Sequence, residues 1–157
     1  MRWFRDVALA SSLALVAIGY AIVIFKPFRF PDLRSPFRDV GDYGDLMREA
    51  NEEISRSQNP LKAIGVQNWT LAGRVLYYNL PYASEVKVID DRFDQFDLWN
   101  PKSYVGGDIL FLVNEFVGRS PGTERCRELQ PVKAVDLRFG GGVADRYTLV
   151  WCKGYGG

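Results

Sequence analysis

Acidic and aromatic residues crowd one stretch of this chain, Asp90 to Trp99, which reads DDRFDQFDLW. Four carboxylates, Asp90, Asp91, Asp94 and Asp97, stand among Arg92, Phe93, Phe96 and Trp99. Carboxylates at this density can ligate a hard cation through oxygen. The spacing is not that of an EF-hand, and the stretch lacks the Asp-x-Asp of metal-dependent sugar transferases. Rings beside charges suit stacking on carbohydrate or contact with lipid equally well. A plainer reading is that Phe93, Phe96 and Trp99 cover a sheet while the acids stay solvated. Cys126 and Cys152 are the only other reactive side chains that stand out. A disulfide between them would close a loop of about 27 residues and contribute on the order of 3 kcal/mol in the chain-entropy model. It would also need an oxidising compartment.

Other chemistry is thinly represented. The chain has no histidine, which removes the usual proton shuttle near neutral pH and the commonest metal ligand. Two cysteines cannot complete a four-ligand zinc site alone. No P-loop, no Gly-x-Gly-x-x-Gly after a strand, no Gly-x-Ser-x-Gly and no Cys-x-x-Cys occurs. We expect no catalytic residue, no bound metal and no cofactor. Lys and Arg number 20 against 19 Asp and Glu, interleaved along the chain, and this balance excludes a typical nucleic-acid surface.

The elements that position these residues follow from periodicity. Tyr43, Leu46, Met47, Ala50 and Ile54 fall on one face of a helix over residues 42–57, with Asp42 as its cap and charges on the other face. Leu61–Val66 reads as a short strand. Asn68 then caps a helix from Trp69 to about Tyr78; the glycosylation sequon Asn68-Trp69-Thr70 is better read as that cap. Glu85–Ile89 alternates as a second strand, and Asp90–Tyr104 reads as an irregular loop. Asp108–Val113 is a near-continuous apolar strand of the doubly buried kind. A short helix over Thr123–Leu129 precedes strands at Val132–Phe139 and Arg146–Cys152, with Gly140-Gly141-Gly142 turning a hairpin between them.

Residues Val7 to Phe25 carry no charge and no proline. As a helix this stretch would span about 28 Å, the thickness of a bilayer's hydrocarbon core. A cleaved signal peptide with Gly19-Tyr20-Ala21 as its small-x-small site is the alternative. The apolar run continues past that site and exceeds the usual signal core of about 7–15 residues. Residues 1–26 are therefore expected to be a transmembrane signal-anchor in contact with the lipid bilayer through residues 7–25. Residues 27–41 are expected to be a linker, and 42–157 a soluble domain of about 120 residues, enough to bury its own core. Flanking Arg and Lys residues leave the positive-inside rule ambiguous. The short N-terminal tail and the cysteines favour the domain outside, in the periplasm of a bacterial inner-membrane protein.

Strand, helix, strand and a further buried strand imply a parallel core. The expected fold class is α/β: one N-terminal transmembrane helix, then a small three-layer α/β domain with a mostly parallel sheet and a C-terminal antiparallel hairpin.

The order of these features resembles a known family. The segments AIGV, NWTLAGRVLYYNLP, DRFDQFDLW, GGDILFLV and RYTLVWCKGYGG look like the C-terminal soluble domain of integral-membrane glycosyltransferases of the protein-mannosyltransferase and aminoarabinose-transferase superfamily. The likeness covers the anchor and essentially all of the soluble region. Those enzymes take polyprenyl-phosphate sugars as donors, and their catalytic acid lies between early membrane helices. This chain has one span, so no catalytic residue carries over. The resemblance implies a detached or truncated tail domain. Three functions follow as expectations: a non-catalytic accessory or structural subunit bound to an integral-membrane protein partner; a component of a split glycosyltransferase that touches a polyprenyl-linked sugar through Asp90–Trp99; or a free-standing carbohydrate- or lipid-binding module.

Overall fold

A computed structural model describes residues 2–25, 41–89, 95–99, 102–115, 122–139 and 142–156. Its elements are α1 (Arg2–Phe25), α2 (Gly44–Arg56), β1 (Lys62–Val66), α3 (Trp69–Asn79), β2 (Val86–Val88), α4 (Gln95–Trp99), β3 (Asp108–Asn114), β4 (Cys126–Phe139) and β5 (Gly142–Tyr155). A single 3-10 turn, Thr123–Arg125, leads into β4.

α1 is long and apolar enough to cross a membrane: Trp3–Phe25 has a mean hydropathy of 2.4 and none of it is buried against the rest of the protein. Its capacity to span is a matter of length and composition.

The five strands form one sheet in the order β2-β1-β3-β5-β4. β1 lies parallel to both β2 and β3. β5 runs antiparallel to β3 and to β4, and these pairings are far longer. The β1–β2 register covers only Ile64↔Val86 to Val66↔Val88, whereas β4–β5 pairs from Cys126↔Tyr155 to Phe139↔Gly142. The sheet is mostly antiparallel, which corrects the expectation of a mostly parallel one. The hairpin is legible in the sequence, though Gly140 and Gly141 of its expected turn lie outside the described residues, but the reach of its strands is not. The residues before Val132, CRELQP, lack apolar alternation because from Arg127 to Ala134 β4 is an exposed edge, held by its ladder to β5 and not by burial. For the same reason the expected helix over Thr123–Leu129 shrinks to one 3-10 turn.

The expected third layer is not found among the described residues. α2 and α3 lie on the same face of the sheet. Leu46, Met47, Ala50 and Ile54 of α2 and Leu71, Ala72 and Val75 of α3 bury against Ile64, Val66, Leu110, Leu112, Leu137, Leu149 and Trp151. The opposite face carries a smaller cluster, Ala63, Ile89, Tyr104, Ile109, Phe111, Cys152 and Tyr155, with no long helix among the described residues packed over it. α4 occupies part of the stretch expected to be irregular; it packs beside β2, with Phe96 against the helix-covered core.

Local signals largely explain the helix ends. Asn68 Oδ1 accepts from the Leu71 amide at 2.8 Å and caps α3. Asp42, the expected cap, lies one residue before the observed N-cap of α2. Its carboxylate accepts from the Gly44 amide at 2.8 Å, and Tyr43 holds the N-cap position without a side-chain bond. The side chain of Asn51 ties α2 to the far end of α3 through Asn79 Oδ1 at 2.9 Å, and Asn79 in turn donates to the Ser84 carbonyl at 2.6 Å.

Gly65 is where β1 meets β3 most tightly. A Cβ there would sit 2.5 Å from Ile109 Cγ2 and 2.9 Å from Phe111 Cδ1. Both neighbours are fully buried and have nowhere to move. Gly65→Ala is therefore expected to destabilise the domain by about 1–3 kcal/mol through overpacking, read from the urea midpoint of the full chain in detergent.

Candidate functional site

The crowded acidic stretch follows β2 directly. Asp90, Asp91, Arg92, Phe93 and Asp94 lie outside the described residues; Phe96, Asp97 and Trp99 are described, on α4. Phe96 and Trp99 meet edge to face with ring centroids 5.2 Å apart. Phe96 turns inward onto the core, while Trp99 is 66% exposed. Asp97 does not stay solvated as a free acid. It pairs with Lys87 Nζ at 2.9 Å, and both side chains are mostly covered.

That ion pair forms one wall of a cleft of about 280 Å³ at the β2 edge of the sheet. Its other polar walls are Lys102, Ser103, Tyr104, Arg125 and Tyr155. At the rim, Glu85 accepts hydrogen bonds from the Tyr104 hydroxyl and from Lys102 Nζ, the latter at 2.9 Å. The Tyr104 hydroxyl, then Lys102, hold the Glu85 carboxyl below the usual carboxylate range. The cleft thus gathers three cationic groups, Lys87, Lys102 and Arg125, and two phenols with two engaged carboxylates, Asp97 in its wall and Glu85 at its rim, a lining suited to an anionic or hydroxyl-rich group. Of its residues the sequence reading singled out only Asp97. Lys87, Arg125 and the pair Lys102 and Tyr104 come from three separate segments, and no spacing signal joins them.

Among the described residues no group of three or more His, Cys, Asp or Glu side chains is placed to hold a metal ion. A single buried side-chain oxygen among them is unpartnered, Oε1 of Gln67. It sits just beyond β1, at the end of the parallel strands where such sheets often receive ligands.

A second hollow, about 530 Å³ and open to solvent, lies on the helix-free face. Val113, Leu129, Pro131 and Val150 make it apolar, with Thr123, Glu124 and Cys126 at its side. Cys126 and Cys152 form a disulfide beneath it, with Sγ–Sγ 2.06 Å and Cα–Cα 5.3 Å. The bond ties the first residue of the edge strand β4 to the fully buried Cys152, three residues before the end of β5.

A buried polar cluster closes the far end of the sheet. The Tyr43 and Tyr147 hydroxyls lie 3.4 Å apart, and Asn114 Nδ2 donates to Asp145 Oδ2 at 2.7 Å. Burial pushes the Tyr147 phenol far above its ordinary value, so it is a fixed neutral hydrogen-bonding group. Arg74 of α3 donates to the Tyr43 hydroxyl at 3.4 Å, and Tyr43 packs on Tyr78. This cluster joins the start of α2 to α3 and the sheet.

No family model, no curated protein and no solved structure matches the chain.

Two outcomes are expected from this geometry. Replacing both cysteines by serine should lower stability by about 3 kcal/mol in the chain-entropy model, seen as a lower denaturant midpoint. Dithiothreitol should reproduce the loss in the native chain and leave the variant unchanged. Because the folded state holds Glu85 ionised more readily than the unfolded chain does, its contribution is present above the ordinary glutamate value of about 4.3 and is lost as pH falls through the lower folded value. Glu85→Gln should therefore flatten the acid limb of the stability–pH curve below about pH 4.3. The effect should be small, since Glu85 is 45% exposed.

Proposed function

We propose that this chain is a membrane-anchored, non-catalytic accessory subunit whose soluble domain binds an integral-membrane protein partner on the outer face of the membrane. The observation that carries the reading is α1, an uninterrupted apolar helix with no protein surface covering it. Such a helix is stable in water only at great cost and is at ease in lipid. The Cys126–Cys152 disulfide supports the outer face, because such bonds persist where thiols are oxidised, as in the bacterial periplasm. The engaged state of the cleft supports the absence of catalysis. Its acid–base groups are committed to one another, Lys87 to Asp97 and Lys102 and Tyr104 to Glu85. On the likeness to glycosyltransferase tail domains, the partner is a multi-span protein of the bacterial inner membrane.

A second reading has one specific support. The cationic lining of Lys87, Lys102 and Arg125 fits the phosphate of a polyprenyl-linked sugar, which would make the chain one component of a split transferase.

Purification from native membranes in a gentle detergent is the test. Recovery of a multi-span protein in stoichiometric amount is the expected result, and a clean monomer overturns the subunit reading. Recovery of the chain in the water-soluble fraction overturns the anchor. Turnover of a polyprenyl-phosphate sugar by the isolated chain overturns its non-catalytic character.

A further inference from the structure

The two long helices of the domain differ on their outward sides. α2 exposes Asp45, Arg48, Glu52 and Arg56, laced by ion pairs such as Arg48–Glu52 at 3.2 Å. That is the ordinary outer face of an amphipathic helix in water. α3 has a single charged residue, Arg74, along its whole length. Its inner face is apolar, as packing requires, and apart from exposed Thr70 and half-buried Arg74 its outer one is too. Trp69, Gly73, Tyr77 and Leu80 fall at offsets 0, 4, 8 and 11, one continuous stripe about 17 Å long. The large members are 54%, 67% and 75% exposed for Trp69, Tyr77 and Leu80, and nothing lies within 4 Å of a Cβ on Gly73. α4 lies at the β2 edge with Phe96 packed on the same core as α3, and it adds exposed Leu98 and Trp99.

We propose that this α3–α4 face rests on the membrane surface, with Trp69, Tyr77, Leu80 and Trp99 in the interfacial layer. The inference rests on the anchoring reading above and deepens it. Three observations choose lipid as the occupant. Indole and phenol rings are the side chains that prefer the bilayer interface, where an apolar body and a polar tip are both satisfied. The segment that links α1 to the domain, residues 26–40, can reach at most about 50 Å when fully extended, so an inserted α1 keeps the domain beside the bilayer. The chain also joins the domain next to α3, since Tyr43, immediately before α2, packs on Tyr78 and accepts from Arg74. Tethering raises the effective concentration of the face at the surface to the millimolar range, so a few interfacial side chains suffice to hold it there. The charged face of α2 contrasts with that surface and belongs in water.

The test uses the full chain in phosphatidylcholine–phosphatidylglycerol vesicles containing acyl-brominated lipid, which quenches tryptophan only at membrane depth. Four single-tryptophan chains are made by Trp→Phe at the other three of Trp3, Trp69, Trp99 and Trp151. Quenching of Trp69 and Trp99 to an extent comparable with Trp3, with buried Trp151 unquenched, is the expected result. In the Trp99-only chain, Leu80→Glu should restore part of the Trp99 emission without lowering the melting temperature, because Leu80 is 75% exposed. Quenching of Trp3 alone overturns the docking and leaves the anchor standing. Absence of quenching at both Trp3 and Trp69 overturns the anchor and the docking with it. Shielding of Trp69 from an aqueous quencher only when a co-purified membrane protein is present overturns lipid as the occupant and gives the face to that protein.

Discussion

β3 is buried on both faces, and the rest of the domain is arranged around that fact. Leu110 and Leu112 point into the core covered by α2 and α3, while Ile109 and Phe111 fill the cluster on the other side. A strand so placed cannot leave its backbone groups unpaired, since unmet amide and carbonyl groups in an apolar interior cost a few kcal/mol each. It therefore takes a ladder on each edge, parallel from β1 and antiparallel from β5. The parallel half and the antiparallel half are two different solutions to the same requirement. Gly65 shows how closely the parallel one is fitted, because only a missing side chain lets β1 approach Ile109 and Phe111.

Burial is uneven across the sheet. One face has two helices and the larger core; the other has a small cluster, a disulfide and one hollow, and a second hollow lies at the β2 edge. The disulfide lies where helical cover is missing, and it holds an edge strand whose first half contributes almost nothing to burial. Pro131 and the charged residues Arg127, Glu128 and Lys133 on that strand, with a register shift between Pro131 and Lys133, discourage a second chain from adding to the edge. The hollows are consequences of the same economy of cover. Their linings differ, apolar beside β4 and cationic beside β2, because separate connecting segments border them.

The polarity of the domain surface has a direction. The β4 and α2 side is charged and ion-paired, as in Lys133–Glu49 and Arg146–Asp136, while the α3 and α4 side is aromatic. A freely tumbling domain gains nothing from such an arrangement. On the proposed anchoring, a domain tethered by an apolar helix meets two environments at once and has use for both faces.

Much of this was readable in one dimension. The apolar run at the amino end, the heptad-like face of α2, the Asn68 cap and the hydrophobic block of β3 are local patterns, and local patterns survive in sequence because each depends on residues a few positions apart. The acidic stretch around Asp97 drew notice for its composition, yet its described part forms a short helix and an ion pair with Lys87, ten residues earlier on a neighbouring strand. The parallel-to-antiparallel balance, the single helical face and the convergence of Lys87, Lys102 and Arg125 were decided by tertiary structure, whereas the Cys126–Cys152 bond was already suggested by the only two cysteines. Strand β4 makes the reason plain. Most of its residues are held by hydrogen bonds to a partner strand, and a backbone hydrogen bond is available to almost any amino acid, so it leaves little mark on which ones are used.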